Sequence, residues 1–320
     1  MSISSRLLLA AAASATVAVA LAERIGDPLS LAAGAVIASL VVPALWVAAA
    51  VQPDDLQWKA LAAGIAVALA GLVAGGTLAA GLAVQSAAGL AGGLLLARQW
   101  RWLSLVAVVS AILAPGVALS LGGESFADLA AEQVALWREQ YLVQLPPDLS
   151  EADRAATLAR FDDLTAGYQS IMGRLWPSLV VIGLAGQAAV LLVLGWALAR
   201  VTGLAPVRRP VAPLATWRAP FGAVWVLIGG LALSLAGRGV VADLGWNLVV
   251  VAGSLVTIQG FAVQAWTIRR LLPPAAQTMF WVVGAFFFAP ILVGTGALLG
   301  LADQWLDLRR LRRQPDDNET

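Results

Sequence analysis

The feature that most constrains this chain is the length of its uncharged apolar segments. From Ala60 to Ala97 there is no charged residue, whereas about 20 apolar residues are enough for a helix to cross the hydrocarbon core of a bilayer. This segment is therefore too long for a single crossing, and Gly75, Gly76 and Thr77 near its middle predict a turn between two paired spans. The sequence predicts a protein built from transmembrane helices.

The same criterion predicts about nine spans, and every charged residue of the chain lies outside them. The predicted spans are Leu7–Ala22, Leu29–Val51, two within Ala60–Ala97, Leu103–Leu121, Pro177–Ala199, Ala219–Gly237, Gly245–Thr267 and about Met279–Leu301. Only 12% of the residues are charged and the mean hydropathy is +0.84, whereas soluble domains have about 25% charged residues. We therefore expect an all-α, polytopic transmembrane helical bundle whose surface mostly faces lipid.

The topology of the two ends is less constrained. The first span resembles a signal peptide, because Ala20-Leu21-Ala22 has the pattern of a cleavage site, but eight further spans favour an uncleaved helix. With a cytoplasmic N-terminus, the short inner loops hold ten Lys and Arg residues and the short outer loops two, as the positive-inside rule requires. The Arg-rich C-terminus would then lie outside, unless Pro290 breaks the last span into a re-entrant segment.

One segment, residues 123–174, differs from the rest because it is rich in charged residues. Apolar residues recur in it at spacings of three and four, as in amphipathic helices. They are Phe126, Leu129, Ala130, Val134, Trp137 and Tyr141, and then Leu158, Phe161, Leu164, Tyr168 and Ile171. Ser150 and Asp153 form a capping-box-like start for the second helix. The sequence predicts an amphipathic helical hairpin between the fifth and sixth spans, either lying on the bilayer or acting as a lid or docking surface.

Several classes of active site are excluded by composition. The chain has no Cys and no His, so it lacks the commonest general base and the commonest metal ligands. Lys59 is the only lysine and follows no glycine-rich loop, so there is no P-loop for ATP hydrolysis. The net charge of +1 gives no basis for nucleic-acid binding. We expect no enzymatic activity, no cofactor and no metal site.

The best polar constellation is a stripe within the eighth span. Asn247, Ser254, Thr257 and Gln264 are spaced by seven, three and seven residues, which places them on one helical face. Lipid cannot satisfy such side chains, so they either form hydrogen bonds between helices or line a pocket for a neutral ligand. No charged residue lies within a predicted span, which argues against a carboxylate-coupled transporter or a proton pump. Gly296 and Gly300 have the GxxxG spacing of closely packed helices.

Three motifs of the C-terminal half carry a resemblance to a known family. They are Trp217-Arg218-Ala219-Pro220, then Asn247 with Ile258-Gln259-Gly260-Phe261, and the closing stretch Leu299–Arg310 with Asp303, Asp307, Arg309 and Arg310. The chain resembles the YybS-like bacterial membrane proteins, domain of unknown function 2232. The order of segments agrees along the whole chain, and the motifs agree over its last hundred residues. The family's layout is in turn similar to the substrate-binding subunits of energy-coupling-factor transporters.

The resemblance implies a function but no substrate. Our leading hypothesis is a small-solute-binding subunit that works with separate ATPase and coupling membrane subunits, with Gln259 and the polar stripe as candidate ligand-binding residues. The alternative is a non-enzymatic scaffold in envelope or cell-division assembly. Asp303, Asp307, Arg309 and Arg310 either anchor the end of the last helix through Asp–Arg pairs or bind a partner. The expected location is the bacterial cytoplasmic (inner) membrane, with multiple crossings.

These predictions divide the chain into four regions. Residues 1–122 form an N-terminal membrane bundle of about five spans, and residues 123–174 form the hairpin. Residues 175–303 form a C-terminal membrane bundle of about four spans, and residues 304–320 form a charged, partly disordered tail.

Overall fold

The computed structural model describes residue 25 and residues 33–51, 62–66, 77–120, 125–146, 149–201 and 214–309. All regular structure in these residues is helical. The first predicted span, Lys59, the Gly75-Gly76 turn and Arg310 lie outside them.

The described residues form nine α-helices, numbered here in chain order. Their bounds are α1, Val42–Ala50, preceded by the π-helical turn Ile37–Val41; α2, Thr77–Ala97; α3, Trp102–Ser120; α4, Phe126–Gln144; α5, Glu151–Val201; α6, Gly222–Ala236; α7, Val240–Leu271; α8, Pro274–Phe287; and α9, Ala289–Leu306. A short 3-10 turn, Leu214–Thr216, precedes α6. The chain divides into two compact units, one of residues 1–125 and 183–210, the other of residues 126–182 and 211–320.

The first unit packs α1, α2, α3 and the C-terminal part of α5 around small residues. A Cβ on Gly93 of α2 would collide with the Val47 backbone of α1, and a Cβ on Gly195 of α5 would collide with the Val47 side chain. Such close approach lets helices gain van der Waals contact where lipid offers no hydrophobic driving force. Trp46 and Leu191 are fully buried there.

A side-chain amide compensates for a proline in this unit. Pro43 lies in the first turn of α1 and has no N–H to donate to the carbonyl of Ser39, four residues earlier. Gln187 Nε2 of α5 donates to that carbonyl at 3.3 Å and to Gln85 Oε1 of α2 at 3.2 Å. The three segments are thus joined by hydrogen bonds that lipid could not supply.

The predicted membrane class is confirmed, but the count of nine spans is not. Five described helices are long and apolar enough to cross a membrane: Ala33–Ala50, Ala80–Ala97, Glu151–Val201, Val240–Leu271 and Ala289–Leu306. Two apolar helices, Gly222–Ala236 and Pro274–Phe287, are shorter, and the predicted span Ala219–Gly237 corresponds to the first of them. The predicted span Leu103–Leu121 corresponds to α3, a helix of 19 residues whose apolar stretch runs from Trp102 to Ala118.

The predicted last span, Met279–Leu301, is wrong as a single helix. The chain leaves the helical conformation at Phe288, and Pro290 occupies the first turn of α9, where its fixed φ and missing N–H are tolerated. The 14 residues of α8 extend for about 21 Å, short of the ~30 Å hydrocarbon core. Because α9 continues to Leu306, it includes Asp303, which the sequence-based boundaries had left outside every span.

The hairpin of residues 123–174 forms two helices, as predicted, but the second does not end with it. Ser150 Oγ accepts a hydrogen bond from the backbone N–H of Asp153 at 3.1 Å, which confirms the predicted helix start. From there α5 continues for 51 residues, about 76 Å. The hairpin and the following membrane segment are therefore one helix.

Aromatic side chains join the two arms of the hairpin. Trp137 contacts Tyr168 and Tyr141 stacks on Phe161, with ring centroids 5.2 and 4.9 Å apart. The two predicted apolar stripes thus face each other at these positions. Leu164, in contrast, is 77% exposed, so part of the second stripe remains uncovered.

The second unit is organised by a close crossing of α7 and α9. A Cβ on Gly260 would overlap the backbone of Gly296, and a Cβ on Gly300 would overlap the carbonyl of Val256. The GxxxG spacing of Gly296 and Gly300 therefore marks a helix contact, here with a third glycine on the facing helix. This contact brings the backbones of α7 and α9 together and sets which of their side chains meet.

We expect Gly260→Ala to destabilise the protein by about 1–3 kcal/mol, because the added methyl group forces the two backbones apart. Gly253→Ala is the matched control, since it lies in the same helix and a Cβ there meets no atom within 4 Å. The control should be neutral or slightly stabilising. The measurement is thermal unfolding of both variants in one detergent, and equal melting temperatures would contradict the crossing.

Candidate functional site

A buried polar cluster lies beside the crossing of α7 and α9. It consists of Gln259 from α7, Asp303 and Gln304 near the end of α9, and Arg309 just beyond that end. Their exposed fractions are 0%, 1%, 1% and 4%. Buried charges and amides are costly unless they are paired, so the partners of each group decide what this cluster does.

Gln259 is the centre of the cluster. Its Nε2 donates to Asp303 Oδ2 at 2.7 Å. Its Oε1 accepts from Gln304 Nε2 at 2.7 Å and from the backbone N–H of Ala219 at 3.0 Å. One side chain thus joins α7, α9 and the segment before α6.

Arg309 reaches the cluster because the chain turns back after α9. Asp307 adopts a left-handed conformation with φ 45°, and this residue ends the helix as glycine commonly does. Arg309 NH2 then donates to Asp303 Oδ2 at 2.8 Å, and NH1 donates to the carbonyls of Ala215 and Trp217 at 2.8 and 2.9 Å. The pair spans six residues, which a continuous helix would place on different faces.

The cluster balances its own charge. The Asp303 carboxylate and the Arg309 guanidinium form a fully buried ion pair, and Arg218 lies 3.8 Å from Asp307 at the partly exposed rim. Among the described residues, Asp303 Oδ1 and Arg309 Nε have no hydrogen-bond partner. The hydrogen bonds of the cluster hold the residues after α9 against the segment before α6. Because the polar groups of the cluster are buried against one another, they leave little room for a ligand.

A separate cavity of about 530 Å³ opens between α7, α8 and α9. Its walls are apolar apart from a few uncharged polar side chains. The lining residues are Gln264, Thr267, Ile268, Phe280, Val283, Gly284, Phe288, Ile291, Leu292, Thr295 and Leu299. The break at Phe288 contributes to this space, because one continuous helix could not line the same cavity from both of its halves.

Gln264 is the most buried polar group of this cavity, with 8% of its surface exposed. Its Nε2 donates to Thr295 Oγ1 at 2.9 Å and to the carbonyl of Leu292 at 3.3 Å. Its Oε1 is buried and has no hydrogen-bond partner in the described part of the chain. An acceptor left in this state costs free energy in the folded protein, and this one has almost no accessible surface.

Asn247 contacts α5 beside the proline within that helix. Pro177 is inside that helix, and the next residue, Ser178, donates its backbone N–H to Asn247 Oδ1 at 2.8 Å. Asn247 Nδ2 donates to the carbonyl of Arg174 at 2.8 Å. Those two backbone groups pair with each other in a regular helix, so the Asn247 amide is inserted where the proline disturbs the ladder.

The surroundings of Asn247 are polar. Arg174 Nε forms an ion pair with Asp243 Oδ1 at 2.6 Å, both about half exposed. A cavity of about 330 Å³ is lined by these residues with Gly173, Pro177, Val240 and Leu244. Asn247 therefore has a structural role in its own small cavity.

The model of one family, described as "Predicted membrane protein (DUF2232)", matches residues 29–304. The chain belongs to this family. No curated protein and no solved structure matches it. With its five long apolar helices, this DUF2232 protein is a multi-pass membrane protein, and its described residues show an all-helical fold.

The structure separates the residues of the predicted polar stripe in this DUF2232 protein. Gln264 lines the 530 Å³ cavity and Asn247 the 330 Å³ cavity. Ser254 donates to the carbonyl of Val251 and Thr257 to that of Gly253, both within α7. Ser254 and Thr257 line neither of these two cavities, and Gln259 belongs to the buried cluster instead.

The C-terminal candidates are brought together with residues that sequence reasoning missed. Asp303, Arg309 and Asp307 all lie at or beside the cluster, but Gln304 and Arg218 complete it. Gln304 and Arg218 both lie inside the motifs that carry the family resemblance, so the sequence did indicate these positions. Thr295 and the aromatic residues of the 530 Å³ cavity had no such signal, because apolar lining looks the same as lipid-facing surface in a sequence.

We expect Asp303→Asn to destabilise the protein by about 3 kcal/mol or more, because it leaves the Arg309 charge buried without its partner. Asp162→Asn is the control, since Asp162 pairs with Arg138 at an exposed site and should cost less than about 1 kcal/mol. Thermal unfolding in detergent measures both. Adding Arg309→Gln to Asp303→Asn should restore part of the loss, and equal shifts for the two single variants would rule out the buried pair as a stabilising unit.

A third prediction concerns the Asn247 amide, which bonds the backbone of α5 beside Pro177. Asn247→Leu should cost about 2 kcal/mol, because two backbone groups of α5 lose their partner. The loss of stability caused by Asn247→Leu should be smaller when Pro177→Ala is added, since the regular backbone hydrogen bonds of α5 can then form. Ser254→Ala is the control within α7. The measurement is the melting temperature of each variant in one detergent. If Asn247→Leu costs as much stability in the Pro177→Ala background as in the wild type, the Asn247 amide does not replace a backbone bond of α5.

Proposed function

We propose that this DUF2232 protein is a small-solute-binding membrane subunit of an energy-coupling-factor-like transporter, located in the bacterial cytoplasmic membrane. The observation that carries the proposal is the 530 Å³ cavity between α7, α8 and α9. Its volume lies within the range of about 300–1,000 Å³ that small-molecule pockets occupy. Apolar walls with a few polar groups are also typical of such pockets.

The absence of an ATP-binding motif from the sequence decides which task the proposal assigns to other subunits. The chain has no P-loop and therefore no such means of hydrolysing ATP, so the proposal assigns energy coupling to a separate ATPase and a coupling membrane subunit. It assigns no chemical reaction to this chain and no nucleic-acid partner. The family's similarity to energy-coupling-factor substrate-binding subunits rests on layout and is part of the proposal.

A second candidate function is a scaffold in envelope or cell-division assembly. The hairpin of α4 and the first part of α5 favours it, because this segment carries exposed charges such as Arg138 and Asp162 together with exposed Leu164. Exposed apolar side chains surrounded by polar residues mark sites of interaction with proteins or membranes. On this alternative the cavity would have no role.

The experiment that tests the proposal is a mild-detergent pull-down of the tagged protein from its native membrane, with mass spectrometry of all retained proteins. We expect an ATPase and a coupling membrane subunit in near-stoichiometric amounts. An unrelated multi-pass protein with the same tag and expression level is the control. Retention of envelope-assembly or division proteins without an ATPase would overturn the transport proposal and favour the scaffold.

The two candidates also differ in which residues matter. Replacing Gln264 and Thr295, two polar residues that line the cavity, by apolar residues should abolish rescue of a deletion strain if the cavity serves solute binding. Deleting the hairpin should abolish rescue if the protein is a scaffold. Both variants must first be shown to reach the membrane at the wild-type level, so that loss of rescue reports function.

A further inference from the structure

We propose that the hairpin pairs with the hairpin of a second copy of this chain, through an apolar face that its two arms leave uncovered. This open face consists of Leu136 and Val143 of α4 and Leu164 and Ile171 of α5. All four residues belong to the second unit. The inference goes beyond the proposed function, because it assigns a partner to the hairpin and does not depend on the cavity.

The four side chains of the open face are exposed where lipid cannot cover them. Their exposed fractions are 48% and 86% in α4 and 77% and 53% in α5. Residues 123–174 hold nine acidic residues and four Arg, and a segment with so many charges lies in water rather than in hydrocarbon. Apolar side chains gathered on such a surface mark a site of interaction.

Each arm of the hairpin contributes one stripe to the open face. Leu136 and Val143 are seven residues apart in α4, and Leu164 and Ile171 are seven residues apart in α5. Residues at this spacing lie on one face of a helix. A seven-residue repeat of apolar side chains is also the spacing with which helices pack side by side in bundles.

An ion pair shows that both stripes lie on the same side of the hairpin. Arg138 and Asp162 pair across one side, and each directly follows a residue whose ring packs between the arms. Successive residues of a helix are about 100° apart, so a residue that directly precedes such an inner residue lies on the other side. Leu136 precedes the inner residue that Arg138 follows, and Leu164 precedes Thr165, which is buried. Both stripes therefore lie opposite the ion pair.

A glycine leaves a gap in the open face. Gly167 lies between the two open-face residues of α5, and a Cβ there would meet no atom within 4 Å. Glycine inside a helix lowers its stability relative to alanine, and it serves where another group must come close to the backbone. Because the arms run antiparallel and Trp137 contacts Tyr168, Leu136 lies at about the level of Gly167.

A second copy in the same membrane supplies a group that fills this gap. A symmetric dimer of copies inserted in one orientation has its two-fold axis along the membrane normal, so every residue keeps its height. The second arm of the hairpin belongs to α5, a candidate membrane-spanning helix, and we take the hairpin to run along this axis. When the open faces meet, α4 of each copy packs on α5 of the other. Leu136 of one copy then lies opposite Gly167 of the other.

The charges beside the open face are complementary in this arrangement. Glu132 and Glu139 lie one helical turn from Leu136 in α4, whereas Arg160 lies one turn from Leu164 in α5. None of these three charged residues forms an ion pair with another described residue. Since α4 packs on α5 of the other copy, Glu139 of each copy comes near Arg160 of the other.

The net charge of the hairpin argues against the bilayer surface as the occupant of the open face. Nine acidic residues and four Arg between residues 123 and 174 leave a clear excess of negative charge. Anionic lipid headgroups attract basic segments and repel acidic ones. A second copy, which offers Arg160 to the acidic edge of α4, matches the open face better.

The test is disulfide cross-linking between introduced cysteines, which the chain suits because it has no cysteine of its own. Full-length Leu136→Cys and Gly167→Cys variants with different tags are coexpressed, and the isolated membranes are oxidised with copper phenanthroline. We expect a disulfide-linked product of twice the chain mass that carries both tags. Arg138→Cys with Asp162→Cys is the matched control, because these positions lie on the opposite side of the hairpin and should give little of this product.

A charge exchange tests the symmetric pairing. Glu139→Arg and Arg160→Glu should each weaken the dimer about fivefold, as expected for surface ion pairs, and the double variant should restore it. The control exchanges Arg138 with Asp162 and should leave the dimer unchanged. The dissociation constant is measured by energy transfer between two populations that carry donor and acceptor labels on their tags, mixed in phosphatidylcholine vesicles.

Gly167→Leu separates pairing from folding. The added side chain enters open space in the single chain and improves helix propensity, so the melting temperature should stay at or above that of the wild type. In the dimer it occupies the place of Leu136 from the other copy, and energy transfer should be lost. An unchanged dissociation constant would show that Gly167 does not receive Leu136.

The other outcomes also decide the proposal. Equal cross-linking of the open-face pair and the control pair would overturn the open face as the contact. Products of other masses in place of the doubly tagged one would show that a different protein covers it. Quenching of a fluorophore on Leu164→Cys by brominated lipid, without cross-linking, would place the face on the bilayer. Pull-down of an ATPase depends on none of these results, so failure of the dimer and failure of the transporter proposal are distinguishable.

Discussion

The constraint on which this structure depends is that lipid offers no hydrogen bonds. Polar groups between the helices must therefore find partners inside the protein. The close contact of α7 and α9 at Gly260, Gly296 and Gly300 makes this possible in the second unit, because it brings Gln259 within 2.7 Å of Asp303 and Gln304. Glycines, which have no side chain of their own, thus determine where the polar network forms.

Amides recur as the groups that repair helices. Pro43 and Pro177 each remove a backbone donor, and in each region a side-chain amide from another helix bonds the disturbed backbone: Gln187 at Ser39 in the first unit, and Asn247 at Arg174 and Ser178 in the second. An amide suits this task because it offers a donor and an acceptor without a charge. Several polar residues of the membrane segments therefore serve the fold.

The contrast between the two polar regions of the second unit supports the division of roles. The cluster around Gln259 uses most of its groups within the protein and closes the residues after α9 onto the segment before α6. The cavity at Gln264 has free volume and apolar walls. A binding function is more compatible with the second region, whereas the first region joins α7, α9 and the segment before α6.

Uncharged apolar segments by themselves determined that this is a helical membrane protein, because their length fits a bilayer and their composition fits no soluble surface. The helix start at Ser150 and the glycine contact in α9 were also readable, since both depend on local spacing. Only the tertiary structure decided that α5 continues through the hairpin, that the last segment breaks at Phe288, and that the polar stripe is divided among separate places. The physical reason is that spacing fixes the face of a helix on which a residue lies, whereas its partners depend on how other helices cross it. Asp303 and Arg309, six residues apart, meet only because the chain reverses at Asp307.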